Sequence, residues 1–67
     1  MASIAKMIEL SADSEKSFDD ALQAGIKRAC ETIKNVRSVW IKDKEVLIEN
    51  NAAKTYRLHL KVTFMLE

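Results

Sequence analysis

Tyr56-Arg57-Leu58-His59-Leu60-Lys61-Val62-Thr63-Phe64-Met65-Leu66 is the stretch on which the fold turns, because apolar Tyr, Leu, Leu, Val, Phe and Leu fill every second position and Arg, His, Lys, Thr and Met stand between them. In an extended chain successive side chains point to opposite faces, so this alternation predicts a strand with one face buried and the other turned to water or to a partner. The buried face needs an apolar surface to lie on. Phe18, Ala21, Leu22, Gly25, Ile26, Ala29, Cys30 and Ile33 supply it, recurring at spacings of three and four as one stripe of an amphipathic helix.

That helix is expected to run from Ser17 to Lys34. Ser17 and Asp20 have the spacing of a capping box, Asp19 and Asp20 suit the positive end of the helix dipole, and Lys27, Arg28 and Lys34 lie toward its negative end. Asn35 is a natural stop. Gly25 costs about 1 kcal/mol relative to alanine inside a helix, which points to a close approach of helix and sheet.

Two further strands complete the pattern. Ile4 to Leu10 reads as a first strand followed by a polar connection, Ser11 to Lys16. Val36 to Glu49 reads as a long second strand, with Val39 and Ile41 on one face and Ser38, Trp40 and Lys42 on the other. Asn50-Asn51-Ala52-Ala53 is the turn between it and the last strand, since asparagine tolerates left-handed backbone. A hairpin folded near Asn51 places Trp40 opposite the region of Thr63 and Arg57 opposite the region of Glu45. Trp40 and Arg57 then lie more than about 10 Å apart within one chain, and a site using both must be built between subunits. No proline, linker or repeat divides the chain, so residues 1–67 form one α+β domain of βαββ order.

A domain of 67 residues buries only about 60% of the surface its unfolded chain exposes. Disulfides and a structural metal are excluded within one chain by its ligand supply, Cys30 and His59, which leaves self-association. A three-stranded sheet also leaves both edges and one face open to partner subunits. The first residues lack the apolar core of a signal peptide and no apolar run nears the roughly 18 residues that span a bilayer, so a cytoplasmic location without membrane insertion is expected. With a net charge of +1 and well-mixed signs, the chain does not resemble a nucleic-acid binder. There is no P-loop, GxGxxG, HExxH, CxxC or GxSxG motif, and no enzymatic role is expected.

Few side chains carry chemistry. Cys30 falls in the helical stripe and reads as a small buried hydrophobe, not a nucleophile. His59 lies on the polar face of the last strand without a second metal ligand in sight, which favours an interface or solvated histidine. Lys27 and Arg28 read as solvated helix surface, a ligand phosphate between subunits being the sharper alternative. Trp40 stands on a face the helix cannot cover, so a large aromatic there needs either another subunit or a planar ligand stacked on its indole.

Lys6-Met7-Ile8-Glu9-Leu10, Ser17-Phe18-Asp19-Asp20-Ala21, Lys34-Asn35-Val36-Arg37 and Tyr56-Arg57-Leu58-His59-Leu60-Lys61-Val62-Thr63-Phe64 fall in order and at matching separations to resemble the dodecins over essentially the full length. The resemblance implies a βαββ subunit whose antiparallel sheet wraps partly round its helix, and a hollow homododecamer. It also implies a flavin store and buffer binding FMN, riboflavin or lumichrome as stacked pairs between tryptophans of neighbouring subunits, with coenzyme A as a further reported ligand. In the best-known flavin binders of that family a tryptophan matches Ser38 and a glutamine matches Arg57. Here Trp40 comes two residues later on the same strand face, displaced by about 7 Å. Arginine can donate to flavin carbonyls but cannot accept from the ring N3 proton.

Two readings result. In the first, a non-enzymatic flavin-storage oligomer stacks the ring on Trp40, meets its polar edge with Arg57 and lines the wall with Ser38, His59 and Lys42. In the second, Trp40 anchors a structural assembly that binds no flavin, or binds a phosphorylated nucleotide such as coenzyme A through Arg57 and Lys42.

Overall fold

The computed structural model describes residues 2–66. Strand β1 (Ala5–Ser14), helix α1 (Phe18–Thr32), strand β2 (Val36–Glu49) and strand β3 (Ala52–Met65) follow one another, giving the α+β, βαββ arrangement. All pairings are antiparallel and the sheet order is β1-β3-β2, so the alternating C-terminal strand is the central one.

Its inward residues make the core. Leu58, Leu60 and Val62 are 0–1% exposed; Leu58 and Leu60 cluster with Ala21 of α1, with Ala12, Phe18, Leu22 and Val39 packed against them. Each buried aliphatic side chain of this size contributes about 1.5–3 kcal/mol relative to an exposed one. Phe18 meets Tyr56 edge-on, their ring centroids 5.3 Å apart. Gly25 permits the close approach expected of it: a Cβ there would stand 2.9 Å from Leu60 Cδ1 and 3.3 Å from Ala12 Cβ.

The helix start uses one residue more than a capping box. Ser17 Oγ accepts the Asp20 backbone N–H at 3.0 Å, while the Asp20 carboxylate accepts from Ser14 Oγ at 2.7 Å. Ser14 Oγ in turn accepts from the backbone N–H groups of Lys16 and Ser17. The end of β1 is thereby tied to the first turn of α1, satisfying donors a helix leaves orphaned. The helix stops at Thr32, and Asn35 carries the chain onward with φ 62°. Lys34 therefore lies beyond the helix.

Three expectations need correction. Strand β1 continues through Ser14, pairing Ser11, Ala12, Asp13 and Ser14 with His59, Leu58, Arg57 and Tyr56. Its second half hid its alternation because the outward residues are polar and the inward ones are small where the helix comes close. Asn50 and Asn51, both at positive φ, form the whole hairpin loop, and Ala52 and Ala53 already belong to β3. With so tight a loop Trp40 pairs with Lys61, and Ser38 with Thr63. Finally, Cys30 is exposed. Ala21, Gly25 and Ala29 form the line of α1 that meets the sheet, and Cys30 lies on the flank, at an apolar cleft lined by Leu22, Ile26, Val36, Val39 and Ile41.

Lengths explain what remains uncovered. A 15-residue helix is about 22 Å long, whereas a 14-residue strand reaches about 46 Å. The β2–β3 hairpin overhangs the helix, and the molecule is 53 Å in its longest dimension. Val46 and Ile48 on the overhang are 38% and 64% exposed.

Candidate functional site

The face of the sheet opposite α1 is built from alternate residues of all three strands. Cross-strand register stacks them in rows: Met7–Thr63–Ser38, Glu9–Lys61–Trp40, Ser11–His59–Asp43 and Asp13–Arg57–Glu45. A register shift between Ile41 and Asp43 marks a bulge at Lys42. Beyond a bulge the side-chain alternation of a strand is offset by one, which brings Asp43 and Glu45 to the outward face.

At one end of this face Arg57 is committed within its own chain. Its Nε and Nη2 donate to the two carboxylate oxygens of Asp13 at 2.8 and 2.9 Å, and its Nη1 lies 3.7 Å from Glu45 Oε1. Glu45 Oε1 also lies 2.9 Å from His59 Nε2. The Arg57 hydrogen bond holds the Asp13 carboxyl below its ordinary pKa, and the pairing raises that of Arg57. Further along, Lys42 Nζ donates to Glu9 Oε1, a hydrogen bond and charge that lower the Glu9 pKa and raise that of Lys42. These side chains are partly solvated, so the pairs position groups more than they stabilise the fold.

At the other end stands Trp40, 58% exposed, with Lys61 Nζ 5.7 Å from its ring centroid. Ser38 and Thr63 form the neutral row beside it. The residues singled out in the sequence thus divide into two groups: Trp40, Ser38 and Lys42 lie toward one end of the face, and Arg57 and His59 toward the other. Lys61, opposite Trp40, is four residues from Arg57 along β3, or about 13 Å. Sequence reasoning set Arg57 opposite Glu45, as the register does, but passed over Asp13, Glu9 and Lys61, the partners of Arg57, Lys42 and Trp40. Had the alternation of β1 been followed past Leu10, Asp13 would have emerged on the face of Arg57.

An open groove of about 390 Å³ runs between these ends, lined by Glu9, Lys42, Asp43, Lys44, Glu45 and His59. Among the described residues no group of three His, Cys, Asp or Glu side chains stands together as a metal site, and no helix is long and apolar enough to cross a membrane. What the geometry offers is a wide polar face with one exposed indole, on a subunit too thin to cover both sides of its own sheet.

Fold and face define a class: small βαββ subunits that complete themselves by association. The chain belongs to the dodecin family, whose model matches residues 4–67. It is similar to the dodecin of Thermus thermophilus, whose tryptophan-to-phenylalanine variant is 30% identical with a TM-score of 0.91, 98% of each chain being covered. The dodecin of Streptomyces coelicolor shares the fold at 22% identity and a TM-score of 0.91, over 97% of this chain and 93% of that one. So does a calcium-chelating immunodominant antigen of Mycobacterium tuberculosis, calcium dodecin, at 23% identity and a TM-score of 0.84, again over 97% and 93%. No curated protein matches the sequence. The family is one of non-enzymatic homo-oligomers.

Proposed function

We propose that the protein is a non-enzymatic flavin-binding store that works as a hollow homododecamer, with the isoalloxazine ring stacked on Trp40 between subunits. The observation that carries this reading is the exposure of Trp40 on the one face α1 leaves bare, beside the neutral Ser38–Thr63 row. An indole in that position has an open π-face and a flat, partly apolar floor, the environment in which a planar ring gains most from stacking. Family membership supports the same reading.

The polar groups of the site come from more than one subunit. Ser38 and Lys42 accompany Trp40 on its own strand, while Arg57 and His59 reach a ring only from a neighbouring copy. Arg57 already spends Nε and Nη2 on Asp13, so it offers a flavin edge at most its remaining donors. FMN, riboflavin and lumichrome share the ring and differ in what hangs from it.

The test is a flavin fluorescence titration of the native-size oligomer. Saturable quenching with a fixed stoichiometry per subunit is the expected result, and full flavin fluorescence at all protein concentrations overturns the reading.

A specific observation favours a second reading. Ile41, Val46 and Ile48 are exposed along β2 together with Trp40, an apolar edge that a partner subunit would cover. On this reading Trp40 is an assembly anchor and no flavin binds. Coenzyme A is the weaker variant, because both cations proposed for its phosphates, Arg57 and Lys42, are paired with carboxylates.

A further inference from the structure

We propose that Lys61 sets the ligand class of the Trp40 platform, selecting a planar ring that carries a phosphate over the same ring without one. This inference rests on the flavin reading above and deepens it.

Charge is unevenly distributed on the uncovered face. Arg57 is held by Asp13 and Glu45, His59 by Glu45, and Lys42 by Glu9. Lys61 alone among the cations of that face has no carboxylate within ion-pairing distance among the described residues, and its ammonium lies over the Trp40 ring. The signs are also segregated along the strands. Asp13, Asp43 and Glu45 gather at the Arg57 end, three carboxylates to one guanidinium and one imidazole. At the Trp40 end Glu9 faces Lys42 and Lys61, which leaves one positive charge beside the indole, and the next row, Met7–Thr63–Ser38, carries none.

A ring arriving on the face of the indole that Lys61 occupies must displace the ammonium and forfeit a cation–π contact of about 0.5–1 kcal/mol. A neutral flavin returns nothing for that loss. A phosphorylated flavin does, because the four-carbon stem of lysine lets the ammonium swing off the ring and meet the phosphate as a mobile point charge. The carboxylate-rich end of the face repels the same phosphate, so the ligand's tail is directed toward the Lys61 side.

The experiment measures dissociation constants of FMN and riboflavin by fluorescence quenching, on the intact oligomer of the wild-type protein and of Lys61→Gln. Wild type is expected to hold FMN more tightly by up to about fivefold, the size of one partly solvated ion pair, and the ratio is expected to collapse toward one in Lys61→Gln. Lys61→Arg should keep the preference. If Lys61→Gln fails to assemble, the wild-type ratio measured at rising ionic strength serves instead, and it should shrink as the pair is screened. Equal wild-type affinities, a ratio that survives in Lys61→Gln, or a ratio indifferent to salt overturns the role of Lys61 while leaving the platform intact. Quenching of neither flavin removes the platform itself, a distinct result.

Discussion

The two faces of β3 are made from the same eleven-residue alternation and meet opposite fates. Leu58, Leu60 and Val62 are sealed under α1 at 0–1% exposure, whereas Arg57, His59 and Lys61 between them stay half-buried on a bare surface. On the covered face, shape decides: a side chain at Gly25 would run into Leu60 Cδ1 and Ala12 Cβ. On the uncovered face, pairing decides: among the described residues each cation but Lys61 has its carboxylate. The first face is complete within one chain. The second is left open by its own chain.

That contrast is most sharply tested on the covered side. Leu60→Ala removes a fully buried side chain from the centre of the core and is expected to cost about 2–5 kcal/mol in chemical denaturation. Substitution of Lys61, its neighbour in sequence, should leave monomer stability within about 0.5 kcal/mol, as for an ordinary surface position. Comparable losses at both positions would mean that the two faces do not differ as described.

A smaller effect is expected at the join between sheet and helix. Ser14→Ala deletes the hydroxyl that donates to Asp20 and accepts from two backbone N–H groups, and should cost about 1–2 kcal/mol. Hydrogen exchange should speed up in the first turn of α1 before it does in β3.

The smallest effect belongs to the charged rows. Asp13 and Glu9 have folded-state pKa values lowered first by their hydrogen bonds to Arg57 and Lys42. Folded protein therefore binds protons there less readily than unfolded chain. The stability they contribute is present above the ordinary carboxylate range near pH 4 and is lost as pH falls through the lowered folded values. Arg57→Gln should lower stability near neutrality slightly and flatten the Asp13 part of the acid loss by the same amount, so that the two proteins converge at low pH. An unchanged acid limb would show that the Asp13–Arg57 pair is not formed in solution.

The covered face was legible in the sequence and the uncovered one was not, for a physical reason. Apolar periodicity in Tyr56–Leu66 and in the Phe18–Ile33 stripe reports burial, and burial is what α1 and β3 share. The close approach at Gly25 and the left-handed turn at Asn50-Asn51 follow from single-residue properties. Where side chains are small or polar on both faces, as in Ser11–Ser14, alternation has no contrast and the strand end was lost, and Asp13 with it. The exposure of Cys30 escaped for another reason: a helical stripe shows which face is apolar but not which line of that face meets the sheet. Arg57 and its place opposite Glu45 were readable from the hairpin, but its commitment to Asp13 depends on β1 lying on the other side of β3. Cross-strand register is not local, and bulges such as that at Lys42 reset it.

The central claim, that the exposed indole is a ligand platform and not an assembly anchor, is tested most directly by Trp40→Ala. Its oligomeric mass and its flavin affinity should be measured on the same sample. The account predicts an assembly of unchanged mass that binds flavin about 5- to 150-fold more weakly, the range expected for loss of one stacked aromatic. An assembly that falls apart, or one that stays intact and quenches flavin as well as wild type does, would contradict it.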